Sequence, residues 1–279
     1  MHHRASVIIR TKNEQAGLGA TLQAVLGQRH RPDQVIVIDS GSCDRTLEIA
    51  RHYPVCTMSI PPHEWGYARA LNRGAAHARG GVLVCLSAHC LPVDDRWLGN
   101  LLRHFDDDRV AGVWGPQLRP GRGVPPAGPP IWQWPGDYGY SQRAWGLSNA
   151  NSALRRALWQ EFPFDESLPA AEDKAWGRSA LERGACIVHD PDAPVWHEYH
   201  SLLAAYRRQR AVNEGLALMF PEQGPNLPAQ LANAGRAAVR TVRRHASTRD
   251  AAVLWNDVKR MPSSVAAIVG GMMARRSSR

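Results

Sequence analysis

Between Ser6 and Trp114, short apolar runs alternate with stretches in which apolar residues recur every three to four positions. Ser6 to Arg10 is a β-branched run, and Leu18, Leu22, Val25 and Leu26 follow at helical spacing. Val35-Ile36-Val37-Ile38 is continuous and β-branched, as a strand buried on both faces should be. It ends at Asp39-Ser40-Gly41-Ser42-Cys43-Asp44, a turn leading into a helix over Thr46 to His52. Cys56 to Ile60 predicts a third strand, Ala68 to Ala78 a third helix and Val82 to Leu86 a fourth strand. A helix over Arg96 to Phe105 and a strand at Val110 to Trp114 complete the series. Repeated βα units joined by short loops predict an α/β fold, a mostly parallel sheet flanked by helices. Ligands in such sheets lie at the carboxyl ends of the strands. Thr11-Lys12-Asn13-Glu14, Asp39-Ser40-Gly41 and Ser87-Ala88-His89 are therefore expected to converge on one crevice.

Beyond Trp114 the pattern loosens. Pro116 to Pro135 is rich in Pro and Gly and reads as an irregular flap. Asn149 and Asn151 straddle a loop of small residues, and an acidic pair, Glu172-Asp173, opens a helix over Lys174 to Arg183 that Gly184 can cap. A strand near Ile187-Val188 and the cluster Trp196-His197-Glu198-Tyr199-His200 follow. From Leu202 the chain reads as helical and basic.

Charge narrows the partners. The formal net charge is +9, and Arg crowds the last third of the 279 residues. An anionic partner follows: a nucleotide diphosphate, a lipid-linked acceptor or a membrane surface. Nucleic acid is not expected, because the basic tail lacks the aromatic interleaving of a stacking platform. The five cysteines form no CxxC pair, which argues against a disulfide framework or a structural zinc site and favours a reducing cytoplasm. The start, Met1-His2-His3-Arg4, runs straight into a strand and leaves no room for a signal peptide. No apolar stretch reaches the roughly eighteen residues of a membrane span. Val265 to Met273, flanked by Arg275-Arg276, can rest on an anionic membrane or pack against the protein.

Candidate chemistry centres on Ala171-Glu172-Asp173-Lys174-Ala175-Trp176. A carboxylate at a helix start after a Pro-rich loop can take a proton from a hydroxyl group; it can equally cap the helix. Asp39, ending a buried strand, can accept hydrogen bonds from a base or ribose, or simply form the turn. His89 can ligate a metal through neutral imidazole, which suits Mn²⁺ better than Mg²⁺, or serve as a polar strand end. Arg69, near the start of its helix, can pair with a diphosphate or remain solvated. Trp65 and Tyr67 can stack on a ligand or join the core.

Taken in order, these segments resemble family 2 glycosyltransferases with the GT-A fold. Val7 to Asn13 followed by Val35 to Ser42 looks like the family's opening. Asn149 to Arg156, Pro163-Phe164-Asp165-Glu166 and Glu172-Asp173 are similar to its acceptor half, nearest the rhamnosyltransferase-like branch. The resemblance implies a GT-A domain over residues 1–215, with a nucleotide-sugar half (1–118) and an acceptor half (119–215), and a basic helical extension over 216–279. It implies an inverting transfer from a UDP-, GDP- or dTDP-sugar to a hydroxyl of a glycan, lipid-linked or small-molecule acceptor. Asp173 would be the general base, supported by Glu172; Thr11, Asn13, Glu14, Asp39, Ser40, Arg69, Ser87 and His89 would hold the donor; Asn149, Asn151 and Trp176 would meet the acceptor or sugar. Ser87-Ala88-His89 stands where the family carries Asp-x-Asp, so His89 and His197 become the candidate ligands of a divalent metal, Mn²⁺ or Mg²⁺, and His200 the less favoured one. The missing acids also motivate the rival expectation of a nucleotide-binding protein without transfer activity.

Overall fold

The computed structural model describes residues 3–121, 123–138, 146–197 and 202–220. Contacts divide the chain into two compact units, Met1–Leu168 with Glu172–Glu198, and Pro169–Ala171 with Tyr199–Arg279.

In the first unit the elements run β1 (Ala5–Thr11), α1 (Leu18–Leu26), β2 (Gln34–Asp39), α2 (Thr46–Arg51), β3 (Cys56–Ser59), α3 (Tyr67–His77), β4 (Val82–Ser87), β5 (Cys90–Pro92), α4 (Trp97–Leu102), β6 (Val110–Trp114), β7 (Gln117–Leu118), β8 (Ile131–Gln133), β9 (Asn151–Arg155), α5 (Arg156–Glu161), α6 (Glu172–Glu182), β10 (Cys186–His189) and β11 (Val195–His197). The large sheet has the order β3-β2-β1-β4-β9-β6-β10-β8. Strands β3, β2, β1 and β4 are parallel neighbours, and β6 and β10 are parallel to each other.

Alternation along the strands sorts the core into two layers, because successive side chains point to opposite faces. Val7, Ile9, Val37 and Val84 pack with Leu18, Leu22, Trp97 and Leu101 on one face. Ile8, Ile36, Ile38 and Leu83 pack with Leu71, Trp176 and Leu181 on the other. Each such side chain contributes about 1.5–3 kcal/mol by leaving water. Gly74 lets α3 lie close on the sheet, since a Cβ there would stand 2.6 Å from Ile8 Cγ2.

The loop expected around Asn149 is partly a strand. Strand β9 lies antiparallel between β4 and β6, with Leu86 opposite Asn151 and Trp114 opposite Ser152. Running against its neighbours, β9 begins where they end, and so delivers residues 148–150 to the carboxyl edge of the sheet. The Pro/Gly-rich segment is likewise not wholly irregular: it contributes β7 and β8. A small second sheet, β5-β11-β7, places His197 opposite Cys90.

In the second unit, α7 (Leu202–Met219) carries the i,i+4 pair Arg210–Glu214 at 2.7 Å. The helix runs through the boundary expected between residues 215 and 216. Among the described residues, no helix is long and apolar enough to cross a membrane. His200 and the basic, apolar tail proposed for membrane contact lie outside the described residues.

Candidate active site

The loops after β1 and β2 are tied together by side chains. Asn13 takes a left-handed backbone, φ 55°, a conformation Asn tolerates better than most residues. Its N–H donates to Ser42 Oγ at 2.8 Å, and its Oδ1 accepts the Cys43 N–H at 2.8 Å. Next to it the Glu14 N–H donates to Thr46 Oγ1 at 2.7 Å, and the Gln15 N–H to Asp44 at 3.1 Å. Ser40 is buried and donates its N–H to the Thr11 carbonyl at 3.0 Å. Thr11 Oγ1 is buried without a hydrogen-bond partner. Asp39 is buried too, and its Oδ2 accepts the N–H groups of Gly41 (3.0 Å) and Ser42 (2.9 Å) while Oδ1 accepts the Ser42 hydroxyl. This carboxylate therefore shapes the turn at the rim of the crevice.

Ser87 ends β4, and two residues later His89 meets His197. Glu14 Oε1 lies 2.8 Å from His89 Nδ1, and His89 Nε2 lies 3.1 Å from His197 Nε2. His197 Nδ1 in turn lies 2.8 Å from Gln117 Oε1. An ionised carboxylate only accepts, so His89 Nδ1 must carry its proton; the amide oxygen of Gln117 imposes the same on His197. In the neutral form of both rings, the two Nε2 lone pairs then face one point. The 3.1 Å separation fits two imidazole nitrogens sharing one ion, each about 2.0–2.1 Å from it. Cys90, fully buried, joins them: the ligand atoms of His89, Cys90 and His197 all lie within 4.8 Å of one another. Imidazole and sulfur favour a transition ion over Mg²⁺, and oriented outer hydrogen bonds are typical of ligating histidines.

The acidic pair, in the first turn of α6, is linked to this cluster through residues 148–149. Gln117 Nε2 donates to Ser148 Oγ at 2.6 Å, and the next residue, Asn149, gives its N–H to Asp173 Oδ2 at 3.0 Å. Asp173 Oδ1 accepts the Lys174 N–H at 2.8 Å. Asn149 is fully buried and its Nδ2 donates to Glu172 Oε1 at 3.2 Å, so it orients the acids from beneath. Glu172 is 4 % exposed, and Arg10 Nη1 lies 3.9 Å from its Oε1. Burial, and then the adjacent Asp173, push the Glu172 carboxyl above its ordinary range, while Arg10 and Asn149 oppose the shift. Immediately before the pair, Ala171 holds φ 67°, a strained value for a residue with a Cβ.

A stability test follows from Glu172. A carboxyl whose pKa is raised in the fold holds more protons there than in the unfolded chain, so its contribution falls as pH rises above the ordinary carboxylate range. Glu172→Gln removes that titration. Its Tm is expected to match the wild type in acid and exceed it increasingly towards neutrality; an offset independent of pH would refute the assignment.

Several residues expected at the ligand turn inward. Trp176 is 2 % exposed and stacks on Phe162 with ring centroids 5.2 Å apart, so it belongs to the core and offers no surface to an acceptor. Asn151 is fully buried: its Oδ1 accepts the Trp97 Nε1–H at 2.8 Å and its Nδ2 donates to the Ala193 carbonyl at 2.8 Å. Those bonds hold β9 in place, and full burial keeps the amide from a sugar hydroxyl. Arg69 is engaged by Glu166 Oε2 at 3.0 Å and by the Glu64 carbonyl at 3.2 Å. Sequence reasoning missed Gln117, Cys90 and Arg10. For Arg10 a signal existed, a cation directly after the apolar run Val7-Ile8-Ile9 of a buried strand; for Gln117, inside the supposed flap, none did.

Comparison with known proteins identifies the family and the fold. The profile described as "Glycosyl transferase family 2" matches residues 6–161. The O-antigen chain rhamnosyltransferase RfbN of Salmonella typhimurium is 25% identical over 215 residues, covering 71% of this chain and 67% of that protein. WbaN of Salmonella anatum, also described as an O-antigen chain rhamnosyltransferase, is 27% identical over 188 residues, covering 62% and 59%. Among solved structures, the mannosyltransferase PcManGT from Pyrobaculum calidifontis, in complex with GDP-Man and Mn²⁺, superposes with TM-score 0.64 at 19% identity, over 97% of this chain and 87% of that one. TarS of S. aureus gives 0.56 at 20% identity, over 77% and 65%. The expected GT-A fold is the one these neighbours share. With the profile matched over more than half its length, the chain belongs to glycosyl transferase family 2.

Proposed function

We propose that this protein transfers a sugar from a nucleotide-sugar donor to a hydroxyl acceptor with inversion, and that Asp173 is the general base. The observation carrying the proposal is the position of that carboxylate. Asp173 is half-buried in the first turn of α6, and both its oxygens are oriented by N–H groups, of Asn149 and Lys174. Each oxygen keeps a lone pair for an incoming hydroxyl. As the acceptor oxygen bonds to the anomeric carbon, its proton passes to Asp173, and the bond to the diphosphate breaks on the opposite face. The nucleoside diphosphate departs with the electron pair. Alignment of acceptor and donor supplies much of the remaining rate.

His89 and His197, with Cys90 beside them, would hold a divalent ion, with Mn²⁺ favoured over Mg²⁺ by the donor set. When bound, it neutralises charge on the departing diphosphate. The Thr11–Glu14 and Asp39–Ser40 loops would receive the nucleoside. A deoxyhexose such as rhamnose is the proposed donor sugar, with a glycan or lipid-linked acceptor; the two Salmonella relatives, described as O-antigen chain rhamnosyltransferases, support the choice of sugar.

The test is a panel of UDP-, GDP- and dTDP-sugars scored for nucleotide release with Mn²⁺, Mg²⁺ or EDTA. Release from one donor, stimulated by Mn²⁺, is the expected result. Nucleotide binding without release across donors and acceptors would favour the rival, a binding protein without transfer. Absence of both would end the transferase reading.

A further inference from the structure

Arg10 presents a contradiction that a ligand would resolve. It is the penultimate residue of β1, in register with Ser87 of β4 and Ile38 of β2, towards the carboxyl edge where ligands of parallel sheets lie. Its side chain is 15% exposed, yet it makes no hydrogen bond among the described residues, and its Nε is buried without a partner. The guanidinium has five N–H donors in a planar fork. What holds it is contact, not hydrogen bonding: Cζ lies 5.0 Å from the centroid of the Tyr67 ring, at the start of α3, and Nη1 lies 3.9 Å from Glu172 Oε1. Burying a cation with its donors unspent is costly. The cost is recovered if an anion arrives to accept those bonds.

We propose that Arg10 binds the diphosphate of the donor, adding positive charge to that of any ion held by His89 and His197. This rests on the transferase reading above. Arg69, the cation the sequence favoured for this task, is occupied by Glu166 and the Glu64 carbonyl. Arg10 is not so engaged, and it stands between Glu172 and the first residue of α3. Its planar fork matches phosphate oxygens in pairs, which a lysine cannot do. During transfer the same contact would stabilise the nucleoside diphosphate as it leaves, so Arg10 touches the reacting group directly.

The experiment is calorimetric binding of UDP, GDP and dTDP, and of UMP, GMP and dTMP, to the full chain with EDTA and with Mn²⁺. Dodecyl phosphate serves as a stand-in for the phosphate of a lipid-linked acceptor. For the preferred base, Arg10→Gln is expected to weaken the diphosphate by about 10- to 100-fold, the size of lost hydrogen bonds to a charged group, in EDTA as well as with Mn²⁺. The monophosphate should be nearly unaffected. Arg10→Lys keeps the charge without the fork and should retain only part of the diphosphate's advantage; it also carries the test if the Gln variant does not fold. Equal weakening of mono- and diphosphate, or no weakening of either, overturns the assignment. Dependence on Arg10 confined to dodecyl phosphate overturns it too, by giving the cation to the acceptor. A wild type that binds none of the nucleotides defeats the transferase reading itself, a result separable from a wild type that binds while Arg10 proves irrelevant.

Discussion

Asp173→Asn is expected to lower the rate of sugar transfer by about 10²- to 10⁴-fold, the contribution of a positioned general base, while nucleotide binding stays within a factor of a few. The substitution is nearly isosteric. The side-chain oxygen of Asn can still accept one of the two N–H groups, from Asn149 or Lys174, that orient Asp173. What disappears is the capacity to take a proton as the acceptor oxygen attacks. The effect should therefore fall on kcat, with KM for the donor little changed, since an interaction needed only in the transition state has been removed. Glu172 cannot substitute: it is buried, accepts from Asn149, and burial favours its protonated form. Parallel measurement of product formation and nucleotide affinity decides the matter. A variant that transfers at the wild-type rate would remove Asp173 from the mechanism, and one that loses nucleotide binding in proportion would make it a structural residue.

His197→Ala is expected to weaken Mn²⁺ binding by more than the roughly 10- to 100-fold that loss of an outer-shell partner costs, because it deletes a ligand rather than its support. Glu14→Gln supplies the internal comparison. It keeps a hydrogen-bond acceptor near His89 Nδ1, 2.8 Å away in the wild type, but removes the carboxylate's negative charge from behind the ring. It should fall within the outer-shell range. Titration with Mn²⁺, followed by calorimetry or by the resonance of the free ion, reads both variants without reference to turnover. Equal affinity in the wild type and His197→Ala would show that the two imidazoles meet for another reason, with a shared proton in place of an ion.

The legible part of this protein is the part where local pattern and tertiary role coincide. Strands β1, β2 and β4 are buried on both faces, so every residue in Val35-Ile36-Val37-Ile38 had to be apolar, and the run announced itself. Helix α3 emerged for a similar reason, with Ala68, Leu71 and Ala75 on one face. Strand β9 did not, because Asn151 and Ser152 are polar and yet fully buried. Their polarity is satisfied by Trp97, Ala193 and Asn149, residues that only the finished fold brings near. Strands β5, β7 and β8 span two or three residues each, too few for any period to register. At the site, the acids and His89 stood out through the order of the motifs around them, since each alone has an ordinary use, capping a helix or ending a strand. Trp176 misled because a Trp beside two acids suggests a sugar platform, whereas its helical position turned it towards Phe162 and the core. The pairing of His89 with His197 across 108 positions is a product of the small second sheet, which no local spacing encodes.

The welded loops after β1 and β2 carry a consequence for how a donor is received. Asn13, Glu14 and Gln15 spend their N–H groups on Ser42, Thr46 and Asp44, and Asn13 holds a left-handed turn. The conformational entropy of that rim is surrendered during folding, at about 1–2 kcal/mol per backbone residue, and is not charged again when a nucleotide arrives. The proposed nucleoside face would thus be a rigid template. A base or ribose that fits it binds without first ordering a loop, and one that does not fit meets a wall that cannot rearrange. Discrimination between nucleotides would then reside in Ser42, Asp44 and Thr46 as much as in any residue that touches the ligand, since they set the template's shape.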